Sequence, residues 1–291
     1  MLGIGSRMGV VALLFLATQS GCAILVKKPD TPAARLDTEV LRHTPRPAGE
    51  RYYLLLFGSQ DHNRRPAYTH TWGTLVRTVR TPDPTAPAIE VHTISWLPAK
   101  LDINTFNFRV EQGRNFELHE TIKNSLRTNQ EIAMWGPYEV THPLAVRFVT
   151  QKAFLESGAI GYQCIDEVGE AGRKGNGSDC IHAISDMDPA YPRWRYPLTF
   201  YGQSATRHLL RRLMHSPVFI DPQTTHDWLI PRLGLTEYPI RRRIYHGQFV
   251  PHQEGDGGDL LATQSAILPE AHPALPAPKA ELSTAKSTPS P

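Results

Sequence analysis

The chain has 291 residues, 40% of them hydrophobic, and 31 Lys+Arg against 28 Asp+Glu for a formal net charge of +3. That length admits one large domain or two small ones, and the apolar share suffices for a sizeable core. With so small a charge excess and no lysine-rich stripe interleaved with aromatics, no nucleic-acid partner is expected. The short run Arg241-Arg242-Arg243 lies between apolar residues and is expected to form a solvated edge.

Residues 1–22 read as a lipoprotein-type signal peptide. Arg7 supplies a positive start, Gly9 to Ala17 an apolar stretch too short to span a bilayer as a helix, and Gln19-Ser20-Gly21-Cys22 a close of small residues. Ser20-Gly21-Cys22 resembles a bacterial lipobox, which implies that Cys22 is lipidated and becomes the mature N-terminus. Gln19 departs from that pattern, which carries Leu there; the alternative is an ordinary signal or an uncleaved anchor with an incidental cysteine. On either reading the remainder is expected to be extracytoplasmic and held at a membrane of a bacterial cell envelope. Residues 23–50 suit a Pro-rich tether. Residues 251–291, rich in Pro, Ala and Ser, suit a disordered tail. The folded domain is therefore expected at 51–250.

Within it, Tyr52-Tyr53-Leu54-Leu55-Leu56-Phe57 is an apolar run of strand length ended by Gly58. Tyr68 to Val79 alternates, with Tyr68, His70, Trp72, Thr74 and Val76 on one side. Thr81-Pro82-Asp83-Pro84 breaks it, and Ile89 to Leu97 forms the next strand, with His92, Ile94 and Trp96 sharing a face. A hairpin of these two strands is the simplest topology. An amphipathic helix fits Leu118 to Leu126, and another begins at Thr141-His142-Pro143, with Pro in the first turn. Ala159 to Ile165 reads as a strand and Ser204 to Met214 as a helix. Strands followed by mixed helices and strands predict an α+β fold, a small antiparallel sheet packed with helices.

The chemistry centres on Gly177-Ser178-Asp179-Cys180-Ile181-His182. Ser178 and Asp179 are good N-cap residues, so Cys180 is expected at the positive end of a helix, where a thiol pKa falls. A thiol nucleophile needs a base, and the base an orienting partner. His70 is the expected base and His92 the expected orienter. No cofactor is expected; Cys164, Cys180, His182 and Asp186 lack the paired spacing of a metal site, so no metal is expected either.

A histidine on an early strand, a polar residue on the next and a later cysteine opening a helix resemble the circularly permuted papain-like superfamily. That superfamily includes the permuted NlpC-like amidases and the lecithin retinol acyltransferase group. In the latter the cysteine motif reads Asn-Cys-Glu-His-Phe; here Asp179-Cys180-Ile181-His182-Ala183 keeps the Cys-x-His core and departs at its flanks. Tyr68-Thr69-His70-Thr71-Trp72 is similar to the Gly-His-Thr/Ala-Phe strand of periplasmic members. The resemblance implies a cysteine hydrolase, amidase, peptidase or acyltransferase, acting on a cell-wall peptide or a lipid ester. Cys180 would attack, His70 carry the proton, His92 orient it, and N–H groups at the helix start, that of Cys180 included, hold the oxyanion.

Other readings stay open. Cys164 and Cys180 are 16 residues apart, and in an oxidising compartment a disulfide between them would stabilise the domain by about 3 kcal/mol. The chain would then be a non-enzymatic, extracytoplasmic lipoprotein binding module. The aromatic cluster Tyr191, Trp194, Tyr196, Phe200 and Tyr201 suits a binding loop, a cleft rim or a buried loop anchor.

The N-terminal reading predicts that the full chain fractionates with membranes, and that Cys22→Ser releases it or leaves it unprocessed. Purely cytoplasmic protein on fractionation would contradict it.

Overall fold

The computed structural model describes residues 30–83, 87–105, 107, 109–164, 177–188 and 201–247. The expected signal peptide with Cys22, residues 23–29 of the expected tether, most of the aromatic cluster (Tyr191, Trp194, Tyr196 and Phe200) and the expected tail 251–291 lie outside them.

The apolar run at Tyr52 becomes β1 (Glu50–Gln60), longer than expected because Gly58 and Ser59 continue the ladder. It pairs antiparallel with β2 (Thr69–Val79) on one side and with β6 (Glu131–Val140) on the other. Outside these lie β3 (Ala88–Ile94) and, parallel to β6, β9 (Ile240–Arg243), giving the order β3-β2-β1-β6-β9. The arginines of β9 are exposed on the sheet edge, Arg241 facing Glu131 at 3.7 Å and Arg242 bonded to Asp227. The fold is α+β.

Helices cover both faces. One carries α4 (His142–Glu156), α5 (His182–Ser185) and α6 (Gly202–Met214) over Tyr52, Leu54, Leu56 and Leu75. The other carries α3 (Leu118–Arg127) and α7 (Leu229–Arg232) over Tyr53, Leu55, Phe57, Trp72 and Val76. This explains the unbroken apolar run of β1: a strand buried on both sides has no polar face to alternate with. Burying each large side chain contributes roughly 1.5–3 kcal/mol.

Strand β6 escaped the sequence reading because Gly136-Pro137 lies inside it, and proline removes a ladder donor. The structure accommodates it with a register shift: Leu54 faces Tyr138 while Leu56 faces Trp135, so an extra residue bulges out there. The expected strand at Ile89 to Leu97 breaks at Ser95 into β3 and β4 (Trp96–Pro98), which turns away to pair with β5 (Gly113–Asn115). The expected strand at Ala159 to Ile165 shortens to β7 (Gly161–Tyr162), paired in parallel with β8 (Gly177–Ser178).

The domain also begins earlier than residue 51. Two short helices, α1 (Pro32–Arg35) and α2 (Thr38–His43), lie on α4. Asp37 caps α2 through the N–H groups of Glu39 and Val40. Ala33 is fully buried. The buried guanidinium of Arg147 donates to the Ala33 carbonyl, to the Leu36 carbonyl at 2.6 Å and to Thr38 Oγ1 at 3.0 Å. Thr31 Oγ1 donates to the Asp186 carbonyl at 2.8 Å. Proline-rich composition suggested a tether, but a buried cation and the carbonyls at a helix end satisfy each other and hold the segment down.

A chain starting at residue 50 should therefore be less stable than one starting at residue 30, by about 1–3 kcal/mol, because the bonds of Arg147 to the Ala33 and Leu36 carbonyls are lost. Arg147→Leu should destabilise the longer chain and change the shorter one little. Equal denaturation midpoints for the two lengths would show that the segment contributes nothing.

Candidate functional site

Strand β3 accompanies β2 only from Gly73 to Val79. Beyond Gly73, at Thr69–Trp72, the edge of β2 carries His70 and the Thr71 N–H that meets Cys180. The chain leaves the sheet at Ser95. Its N–H donates to Asn115 Oδ1 at 2.7 Å and its carbonyl accepts from Phe116 N–H at 3.0 Å, which fixes the departure.

Register decides which side chains share a face. His92 stands opposite Leu75, on the α4 side, whereas His70 lies with Trp72 and Val76 on the α3 side. The two histidines therefore do not meet. His92 instead sits 3.1 Å from Glu90, bordering a groove of about 380 Å3 with Glu50, Tyr52, Arg77 and His142. There Glu50 accepts from Tyr52 and Arg77, and Tyr52 Oη lies 3.1 Å from His142 Nδ1. His92 as orienter of His70 is thus corrected by a strand register that composition does not reveal.

His70 is buried, its ring stacked on Trp72 at 5.3 Å between centroids, as Trp72 stacks on Phe57 at 5.1 Å. Its Nε2 lies 2.9 Å from Ser95 Oγ, and Ser95 Oγ lies 2.7 Å from Thr121 Oγ1 of α3. Its Nδ1 has no hydrogen-bond partner among the described residues. Ser95 was missed by the sequence reading. With the register known it is findable: Thr74 faces Thr93, so the next residue on that face of the β3 line is Ser95, diagonal to His70.

Cys180 arrives from the other face. The pairing of β7 with β8 brings the chain to Asp179, whose Oδ1 accepts the N–H groups of Ile181 at 2.6 Å and His182 at 2.8 Å. Oδ2 takes the ring Nδ1–H of His182 at 2.8 Å, so aspartate and histidine lock the turn into α5. Ile184 of α5 packs over Gly73, one side of the approach to β2. Cys180 then lies against the β2 edge, with the Thr71 N–H directed at its sulfur. That N–H belongs to the His70–Thr71 peptide. The thiol and the imidazole thus come from opposite faces and share one peptide bond.

The expected lowering of the thiol pKa is reversed. Burial pushes the Cys180 thiol up and the Asp179 carboxylate adds to it, with the Thr71 N–H pulling weakly the other way. The residue keeps some exposed surface, but the sulfur is surrounded densely enough for burial to dominate. The helix offers little help: α5 is one turn long, and Asp179 occupies its first N–H groups. Burial alone would raise Asp179 too, but His182 and these N–H bonds outweigh it and hold the carboxyl below its usual range. Burial lowers His70 to about 3. At neutral pH the Cys180 thiol and the His70 imidazole therefore both rest neutral.

Cys164 and Cys180 both stand as thiols. Gln163 N–H donates to the Ser178 carbonyl at 3.1 Å, carrying the β7–β8 ladder toward them. Both act on the buried Tyr162 hydroxyl, whose pKa is raised by burial first and by the two thiols next. A hollow of about 480 Å3 borders this region, lined by Trp96, Asn115, Glu156 and Gly161 among others. Among the described residues no three His, Cys, Asp or Glu side chains converge to hold a metal ion, and no helix is long and apolar enough to cross a membrane. Comparison with known protein families, curated proteins and solved structures finds no match for this chain.

The buried His70 makes stability depend on pH. An unfolded imidazole takes up a proton near pH 6.5, while the folded one resists until about 3. The contribution is full above pH 6.5 and is lost as pH falls toward 3, reaching at most about 5 kcal/mol. His142, His208 and His226 are lowered as well, chiefly by burial, and act in the same direction. His70→Gln should therefore flatten, without abolishing, the loss of denaturation midpoint between pH 7 and 4. Parallel curves for the two proteins would contradict the burial of a neutral His70.

Proposed function

We propose that this chain is an exported, membrane-tethered thiol hydrolase or acyltransferase of the circularly permuted papain-like type, with Cys180 as nucleophile, His70 as proton acceptor and Ser95 as orienting residue. One observation carries the reading. The thiol lies at the His70–Thr71 peptide while the buried His70 has Nε2 held by Ser95 and Nδ1 without a partner. Export and tethering rest on the signal features of residues 7–22.

In the reaction, Cys180 Sγ bonds to the carbonyl carbon of an amide or ester and its proton passes to His70 Nδ1. The carbonyl π electrons move to oxygen, where the Cys180 N–H is the available donor, since those of Ile181 and His182 serve Asp179. Collapse breaks the bond to the amine or alcohol, which leaves with the proton from His70. The thioester on Cys180 is then resolved by water, or by an acceptor amine or alcohol, with His70 taking the proton again. A cell-wall peptide amide and a lipid ester both satisfy this scheme.

The second reading, a binding module closed by a Cys164–Cys180 disulfide, draws on the common approach of both thiols to Tyr162.

p-Nitrophenyl acetate with the full chain tests both. The enzyme reading expects an acetyl adduct that maps to Cys180 and is lost in Cys180→Ser. Ser95→Ala should slow acylation by about 10–100-fold, while His92→Ala and Cys164→Ser should leave it unchanged. Loss of activity in His92→Ala with none in Ser95→Ala would overturn the residue assignment. Failure of iodoacetamide to label either thiol in the unfolded, unreduced chain, with labelling of both after reduction, would select the disulfide.

A further inference from the structure

Helix α6 carries three arginines and no carboxylate along Gly202–Met214. Ala205, Leu209, Leu210 and Leu213 bury one side of it, which leaves Arg207 and Arg211 exposed on the other. Arg211 donates to His208 Nδ1 at 3.2 Å. Among the described residues neither Arg207 nor Arg211 forms an ion pair.

The sheet adds charge of the same sign beside the helix. A Cβ at Gly58 would meet Gln203 and Thr206, so α6 crosses β1 closely there, level with Ala133 of β6. Gln203 Nε2 donates to the Glu131 carbonyl at 3.2 Å, which turns that side of α6 toward β6. The chain after α6 reaches the far end of the same strand, where Thr141 N–H donates to the Val218 carbonyl at 2.9 Å. Helix and strand therefore run alongside. Arg207, one turn after Gln203, lies on the same side, about 6 Å further on, close to the two-residue step from Ala133 to Trp135. In β9, Arg241 stands opposite Ala133 and Arg243 opposite Trp135. Both partners belong to the core under α6, so Arg241 and Arg243 face the helix side, while Arg242 faces the other and is bonded to Asp227. Arg241 keeps only a 3.7 Å approach to Glu131, and Arg243 has no ion pair among the described residues. Ile244, next in the chain, is 65% exposed. Arginines beside an exposed apolar side chain match the chemistry of a membrane interface.

The N-terminal segment emerges on this same face. α1 and α2 lie on α4, which covers the sheet together with α5 and α6, and the described chain starts there at Asp30. We infer that the arginines of α6 and β9 form a docking surface for the phosphate headgroups of an anionic phospholipid bilayer. The inference rests on the proposed tether only for bringing the domain to a bilayer. Each arginine at such a surface strengthens binding about 5-fold, so Arg207, Arg211, Arg241 and Arg243 together supply several hundred-fold. That is weak for a free protein and sufficient for a domain already confined beside the membrane.

The test uses the full chain carrying Cys22→Ser, so that no acyl chain contributes. Its partition is measured by sedimentation with vesicles of phosphatidylcholine alone and with about 30% phosphatidylglycerol added. The quantity read is the ratio of the two partition constants, and whatever residues 1–29 contribute is common to every variant. Arg207→Gln with Arg211→Gln should lower the ratio by about 25-fold, and Arg241→Gln with Arg243→Gln by a similar factor. Glutamine keeps helix propensity at the exposed positions of α6, so the fold is retained. Lys123→Gln with Arg127→Gln makes the same charge change on α3, across the sheet, and should leave the ratio unchanged. Salt at about 1 M should erase the wild-type preference. An unchanged ratio in both arginine pairs, or an equal loss in the α3 pair, would overturn the inference. Binding to a DNA oligonucleotide without any preference for anionic vesicles would also overturn it, assigning the surface to a soluble polyanion. If the ratios follow expectation but the wild-type chain fractionates as soluble protein in cells, the docking surface stands and the tether reading fails.

Discussion

The structure depends on β1 being buried on both faces. Helices cover Leu54 and Leu56 from one side and Leu55 and Phe57 from the other, so β1 forms the centre of three layers. Its neighbours inherit that constraint. Polar side chains of β2 near β1 find partners: Thr71 meets Thr206, Thr74 meets Thr93, and the Nε2 of His70 meets Ser95. A buried polar group left alone costs more than its hydrogen bond returns. The pairing of polar residues along β2 is a condition for burying the strand before it is a device for chemistry.

Chemistry becomes possible where the sheet stops being complete. β3 leaves at Ser95, and the edge of β2 beyond Gly73 receives Cys180 instead of a strand. Backbone N–H at a sheet edge needs an acceptor, and the Thr71 N–H finds one in the sulfur. Burial then suppresses charge on both partners, upward for the thiol and downward for the imidazole. In the proposed reaction the proton moves only when a carbonyl arrives to take the electrons of sulfur. This differs from a resting thiolate sustained by a long helix dipole, which the single turn of α5 and the carboxylate of Asp179 do not provide.

The N-terminal segment belongs to the same logic. Arg147 is a buried cation held by the carbonyls of Ala33 in α1 and of Leu36 just after it. Thr31 meets the carbonyl of Asp186 just beyond α5, so the docked segment ends close to the element that carries the candidate nucleophile. If Cys22 is the lipid site, seven residues separate it from Asp30, and the eight chain steps reach at most about 28 Å. On that reading the domain works close to the membrane surface.

Much of the fold was legible locally. The unbroken apolar run of β1, the alternation of β2, Pro143 in the first turn of α4 and the stripe of Leu209, Leu210 and Leu213 in α6 are periodicities that neighbouring residues impose on one another. So were Cys180 and His70 as residues to examine, because residue type and local pattern single them out. Strand β6 was not, since Gly136-Pro137 reads as a turn until a bulge absorbs it. Nor was the partner of His70. A shift of one residue in the β2–β3 register exchanges the faces of His92 and Ser95, and register is set by pairing across the sheet rather than by either strand. The thiol pKa was also a tertiary matter: sequence places a cap beside Cys180, but the burial and the Asp179 charge that govern it arise only when α5 closes against β2. Local pattern determined which elements form and which side chains were worth examining. Only tertiary structure decided which of them meet and in what charge state, because both depend on neighbours far apart in the chain.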